Sequence, residues 1–134
     1  MNSGPDRRGE TFSRDDRLRK RREFEECYAS GVRVSGRHLQ LFLLPPGSPA
    51  TPARPRLGIS VPRRVGGAVS RNRVRRRLRE IFRRSRELFG RRGGDVVVNA
   101  RPSASEATFA ELAEEYRSLL AKGLSRAPES RPAS

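Results

Sequence analysis

Apolar positions along the chain fall into short runs and two longer stripes of helical spacing, separated by Gly- and Pro-rich breaks. Phe24, Cys27 and Tyr28 recur at i, i+3 and i+4, which predicts a short helix over residues 19–30. Gly31 is placed to terminate it. Residues 32–34 and 38–44 read as strands joined through Ser35 and Gly36. In the second strand Leu39, Leu41 and Leu43 point one way, and His38, Gln40, Phe42 and Leu44 the other. Residues 45–55 hold five of the ten prolines and predict a loop. A third strand follows over 57–61, ended by Pro62. Gly66-Gly67 then marks a turn, and the longest helix is expected from Ala68 or Ser70 to Phe89. Val74, Leu78, Ile81, Ser85 and Leu88 form its buried stripe, widened by Phe82 and Phe89. Asn72, Arg75, Arg76, Arg79, Arg83 and Arg86 fall on the opposite face. Residues 96–100, which open on the continuous apolar run Val96-Val97-Val98, predict a fourth strand, buried on both faces. Thr108 and Glu111 form a capping box. The last helix carries Phe109, Leu112, Ala113, Tyr116, Leu119 and Leu120 and is expected to close at Gly123. The order is α-β-β-β-α-β-α, with no internal repeat.

Only 34% of the 134 residues are hydrophobic, enough for one domain and no more. Residues 1–15 read as a disordered basic and polar arm, 16–123 as a single domain, and 124–134 as a disordered tail. Charge sharpens the picture. Thirty Lys and Arg stand against fifteen Asp and Glu, for a net charge of +15. Lys20 and Lys122 are the only lysines. Residues 54–92 contain fifteen arginines and two acids, Glu80 and Glu87, and so carry +13 of that excess. Concentrating one sign there costs self-repulsion that a polyanion relieves, which points to nucleic acid. The longest strongly apolar run, residues 41–44, is stopped by Pro45, so no membrane partner is expected. Charges of both signs near the start (Asp6, Arg7, Arg8, Glu10) argue against a secretory signal and for a cytoplasmic protein.

The catalytic inventory is nearly empty. One histidine, His38, cannot make a multi-histidine metal site, and one cysteine, Cys27, can form no internal disulfide. His38 reads as a half-exposed strand residue and Cys27 as a small buried filler. Glu25-Glu26 and Glu114-Glu115 read as solvated helix charges. Gly66-Gly67 precedes a helix but lacks a following Gly-Lys-Ser/Thr, so a nucleotide-binding P-loop is unsupported. No residue is nominated as catalytic or as a metal ligand, and no small-molecule substrate is expected.

The informative stretch is residues 57–82, LGISVPRRVGGAVSRNRVRRRLREIF. Its centre, Arg71-Asn72-Arg73 followed by Arg75, Arg76, Arg77 and Arg79, resembles the RNR motif of the bacterial ribonuclease P protein family. The frame agrees: Gly58-Ile59-Ser60-Val61, the basic pair Arg63-Arg64, and Gly66-Gly67-Ala68-Val69 stand in the family's order. So do the flanks, with Arg21-Arg22-Glu23-Phe24, Tyr28, Gly31 and Arg37 before it and Asp95 to Pro102 after it. Gly67 stands where the family usually has Asn, and Pro62 where a small polar residue is common.

The resemblance implies an α/β two-layer sandwich with a left-handed β-α-β crossover, like the second domain of ribosomal protein S5. It implies the protein subunit of an endoribonuclease that matures the 5′ end of tRNA, whose chemistry is carried by its RNA and by Mg2+ bound mainly to that RNA. The implied partners are the catalytic RNA and precursor tRNA. Carried over residue by residue, it assigns Arg63, Arg64, Arg71, Asn72, Arg73, Arg75, Arg76, Arg79 and Arg83 to the catalytic RNA. It assigns Phe24, Tyr28, Phe42 and Arg37 to the single-stranded leader. The rival expectation is a ribosomal or other structural RNA-binding protein with a similar basic helix.

Overall fold

A computed structural model describes residues 17–45, 54–90 and 93–127. The elements are α1 (Arg21–Ser30), β1 (Val32–Ser35), β2 (Leu39–Leu44), β3 (Pro55–Ser60), α2 (Ala68–Arg84), β4 (Gly94–Ala100) and α3 (Phe109–Arg126). The element order expected from periodicity is the order found. Short 3-10 turns at Arg63–Val65, Arg86–Phe89 and Pro102–Glu106 join them. No helix among the described residues is long and apolar enough to cross a membrane.

The four strands form one mixed sheet in the order β1-β2-β4-β3. β2 pairs antiparallel with β1 and β4, placing Leu41 opposite both Val34 and Val98. β3 runs parallel to β4, with Leu57 beside Val96 and Ser60 beside Asn99. A parallel pair needs a crossover, and α2 lies in it. β4 is therefore interior, and Val96, Val97 and Val98 are fully buried, as their unbroken apolar run predicts.

The alternation in β2 sorts the core into two parts. Leu39, Leu41 and Leu43 join Val74, Leu78, Ile81 and Phe82 of α2 and Leu112, Tyr116 and Leu120 of α3. On the other face Phe42, Leu44 and Val97 meet Leu18 and Cys27, with Phe24 packed against them. The sheet thus carries helices on both faces, which corrects the two-layer expectation: α1 adds a partial third layer. Cys27 is buried there, as its place among apolar neighbours suggests. Gly31 ends α1 as expected, and a Cβ at this position would meet the backbone oxygens of Cys27 at 2.5 Å and Leu43 at 3.0 Å. Close approach, not positive φ, is what requires glycine there.

Four expectations fail, the first for a local reason and the others for tertiary ones. The expected α2 ends at Arg84, because the Ser85 hydroxyl donates to the Ile81 carbonyl at 2.6 Å and the chain tightens into the turn 86–89. α3 does not close at Gly123 but runs on to Arg126, so residues 124–126 are helix rather than tail. Gly123 is buried against Leu43, whose Cδ1 would lie 2.7 Å from an added Cβ; the glycine admits the sheet rather than capping the helix. Glu115 is no solvated charge. One of its carboxylate oxygens accepts the backbone N–H groups of His38 and Leu39 at 2.8 and 2.7 Å, fixing the start of β2. His38 itself is buried rather than half-exposed, with Nδ1 2.7 Å from the Ser103 hydroxyl. The capping box of α3 forms as expected, Thr108 and Glu111 exchanging bonds of 3.0 and 2.8 Å. The arm 1–15 and the end of the tail lie outside the described residues.

Candidate nucleic-acid interface

α2 presents its cations because its stripe of Val74, Leu78, Ile81 and Phe82 is fixed in the core. Asn72, Arg73 and Arg76 are exposed on the far side, and Arg71, Arg75, Arg79 and Arg83 are half-buried around them. Arg63 and Arg64 are exposed on the turn that leads into the helix. Arg71 Nε donates to the Gly66 carbonyl at 3.2 Å, and Arg75 Nη1 to Asn72 Oδ1 at 3.1 Å. Gly67, at the helix N-cap, has nothing within 4 Å of a would-be Cβ, so that spot is open to an approaching strand. The N-terminus of α2 adds a positive dipole end to this surface. Guanidinium forks fixed on one helix face suit successive phosphates.

Not every arginine of the motif serves that face. Arg77 turns toward the segment that leads into α3 and donates to the Ala107 carbonyl at 2.9 Å. Arg83 and Arg84 both grip Glu80. Hydrogen bonds from Arg83 and then Arg84 hold the Glu80 carboxyl down to about 2, against a small opposing effect of burial. A depressed folded pKa contributes stability that is present above the unfolded value near 4.5 and is lost as pH falls toward 2. Between pH 5 and 2.5 the urea midpoint of the native chain should therefore fall more steeply than that of Glu80→Gln. Parallel curves would show that this ion-pair cluster contributes nothing to folding.

The second surface is the part of the sheet that α1 leaves uncovered. Arg56 anchors α1 by bonding Asp95 through two nitrogens, at 2.9 and 3.1 Å, and Glu23 at 3.0 Å. Burial opposes ionisation of Glu23, but the backbone N–H groups of Lys20 and Arg19 and the Arg56 guanidinium outweigh it and lower its pKa. Beyond the other end of α1 the same sheet face turns polar. Gln40, Asn99 and Ser60 floor an open cleft of about 570 Å³ rimmed by Arg37, Arg64 and Arg101. Tyr28 stands beside it, and its hydroxyl donates to Asn99 Oδ1 at 2.9 Å.

The expected leader residues separate here. Tyr28 keeps 39% of its surface exposed, whereas Phe42 keeps 8%. Phe42 packs edge-on beneath Tyr28, ring centroids 4.8 Å apart, so it supports the exposed ring and seals the smaller core. Phe24 does not reach the cleft. Its ring lies against Gly58, within 2.8 Å of a would-be Cβ, at the outer edge of β3. Arg37 does line the cleft, and Arg64, expected on the other surface, lies with it. Sequence reasoning missed Gln40, Asn99, Ser60 and Arg101. The alternation that put Gln40 on the Phe42 face was a signal for the first; the β2–β4 register that pairs it with Asn99 was not readable.

Comparison with known proteins gives one consistent result. The sequence model of the Ribonuclease P family matches residues 12–123. The ribonuclease P protein component of Acidothermus cellulolyticus is 42% identical over 106 residues, 79% of this chain and 86% of that protein. That of Desulfovibrio desulfuricans is also 42% identical over 106 residues, 78% of this chain and 79% of the relative. Among solved structures, the ribonuclease P protein of Thermotoga maritima superposes with a TM-score of 0.69 at 33% identity, covering 79% of this chain and 96% of that one. The Staphylococcus aureus protein gives a TM-score of 0.69 at 28% identity, over 78% and 92%.

Proposed function

The chain belongs to the ribonuclease P protein family, and from that premise we propose how its two surfaces serve the maturation of precursor tRNA. As a ribonuclease P protein component it works with an RNA subunit in a tRNA-processing ribonucleoprotein. The observation that carries the division of labour is the one-sided cationic face of α2. Asn72, Arg73 and Arg76 are exposed along it while its apolar stripe is locked in the core. That face, extended by Arg63, Arg71, Arg75 and Arg79, holds the RNA subunit through phosphates, with Arg64 turned to the cleft and Arg83 shared with Glu80.

The cleft beside Tyr28 takes the single-stranded leader of precursor tRNA. Tyr28 stacks on a base, Phe42 backs it, and Arg37 with Arg101 meets the phosphates. Stacking tolerates any base, as a site for many different leaders must.

In this reading the cleavage chemistry belongs to the RNA subunit and to Mg2+ held mainly by it. Among the described residues no three His, Cys, Asp or Glu side chains gather where they could hold a metal ion. In this reading the protein's residues bind and orient the two RNAs. The reading further includes a cytoplasmic site of action and a left-handed β3–α2–β4 connection, the hand opposite to the usual one.

Isolating the chain from its own cells and sequencing the bound RNA tests the assembly. One stable RNA of the ribonuclease P type supports it. Ribosomal RNA in its place would favour a structural ribosomal protein and overturn it.

A further inference from the structure

Two of the arginines that rim the cleft, Arg37 and Arg101, stand outside the strand ladder. Arg37 lies between the end of β1 at Ser35 and the start of β2 at Leu39, and Arg101 follows the end of β4 at Ala100. Backbone just beyond a strand end opens more readily than the ladder itself. Here both positions are tied to one residue, His38, which keeps only 8% of its surface exposed. The Arg101 N–H donates to the His38 carbonyl at 2.8 Å, and the His38 N–H donates to the Glu115 carboxylate at 2.8 Å. The Ser103 hydroxyl donates to the Arg37 carbonyl at 3.3 Å. A hydroxyl has one proton to give, so the same oxygen accepts from His38 Nδ1–H, at 2.7 Å. Ser103 belongs to the turn Pro102–Glu106, directly after Arg101, and itself lines the cleft. The imidazole and this hydroxyl therefore link the backbone of Arg37 to the segment that carries Arg101. An apolar side chain at position 38 would avoid the cost of burying an imidazole, but it would lose that link.

We propose that His38 is a positioning residue for leader recognition: through Ser103 it holds the backbones of Arg37 and Arg101 at a fixed spacing, from which both guanidinium groups meet the leader's phosphates. The proposal rests on the reading of the cleft as the leader site and adds to it a side chain that touches no RNA. The physical reason is preorganisation. A long side chain must be ordered when it meets a ligand, and that cost falls when its point of attachment is already fixed. A flexible single strand brings no order of its own, so the protein has to supply it.

The test uses holoenzyme preassembled from the full chain and its RNA subunit, and measures the ratio of precursor to mature tRNA affinity at several salt concentrations. His38→Ala should lower that ratio roughly two- to tenfold, the cost of ordering one long side chain on binding. Both guanidinium charges remain, so the salt slope of the ratio should stay native. Arg37→Ala with Arg101→Ala should instead lower both the ratio and the magnitude of its slope. His38→Asn, whose amide nitrogen stands in for Nδ1, should restore most of the ratio. In the background without the two arginines, His38→Ala should have no further effect, which a merely structural histidine would not give. If His38→Ala does not fold, Ser103→Ala removes the same link at a half-buried position and should lower the ratio in the same way. A native ratio in the folded variant, or a loss of equal size with and without the arginines, overturns the proposal. The cleft reading survives that result if Tyr28→Ala and the arginine pair still lower the ratio. If neither of those lowers it, the cleft is not the leader site and the proposal falls with it.

Discussion

Replacing Arg73 and Arg76 together by alanine should weaken binding of the RNA subunit roughly a hundredfold near 0.1 M salt. The reasoning is counterion release. Each phosphate contact contributes about 0.9 to the slope of log affinity against log salt, which at about 0.1 M is close to tenfold in affinity. Both side chains are exposed on α2 and take no part in its buried stripe of Val74, Leu78, Ile81 and Phe82, so the variant should fold like the native chain. The salt slope should fall in magnitude by about two, and the affinities should converge as salt approaches molar concentration. A double variant with native slope and native affinity would remove the α2 face from the RNA interface.

Tyr28→Ala should erase most of the holoenzyme's preference for precursor over mature tRNA, because only the precursor offers leader bases to stack. One lost stack, about 1–3 kcal/mol, corresponds to roughly five- to a hundred-and-fifty-fold in the ratio of the two affinities. Tyr28 rather than Phe42 carries this prediction, since Phe42 is the buried partner of the pair. Phe42→Ala should instead act mainly on folding, at a cost of about 3–5 kcal/mol for a buried phenylalanine. Tyr28→Phe keeps the ring and loses only the bond to Asn99, so it should retain most of the preference. A folded Tyr28→Ala chain with the native ratio would show that the ring does not recognise the leader.

These two predictions differ in how far the sequence alone supports them. The arginine face of α2 is legible because helical spacing is local: once Val74, Leu78 and Ile81 face the core, Asn72 and Arg76 must face out. The strands and both helix stripes are legible for the same reason, as is the capping box of Thr108 and Glu111. What could not be read depends on pairing between distant segments. Gln40 and Asn99 form one floor only because β2 lies beside β4. Gly123 looks like a helix stop until Leu43 is found against it. Glu115 looks like one more surface acid until β1 turns into β2 above it and offers two N–H groups. Phe24 and Phe42 carried equal weight as leader contacts, but α1 crosses the sheet so that one ring reaches the β3 edge and the other lies beneath Tyr28.

The central claim is that this chain serves an RNA enzyme and does not itself cleave. It is tested most directly by precursor tRNA cleavage at low magnesium with three preparations: nuclease-free protein alone, RNA subunit alone, and the two together. Protein carrying +15 of charge should replace part of the cation screening that two docking RNAs need. The account predicts no cleavage by the protein, weak cleavage by the RNA, and strong 5′ processing by the pair. Processing by the protein alone, or a pair no faster than the RNA alone, would contradict it.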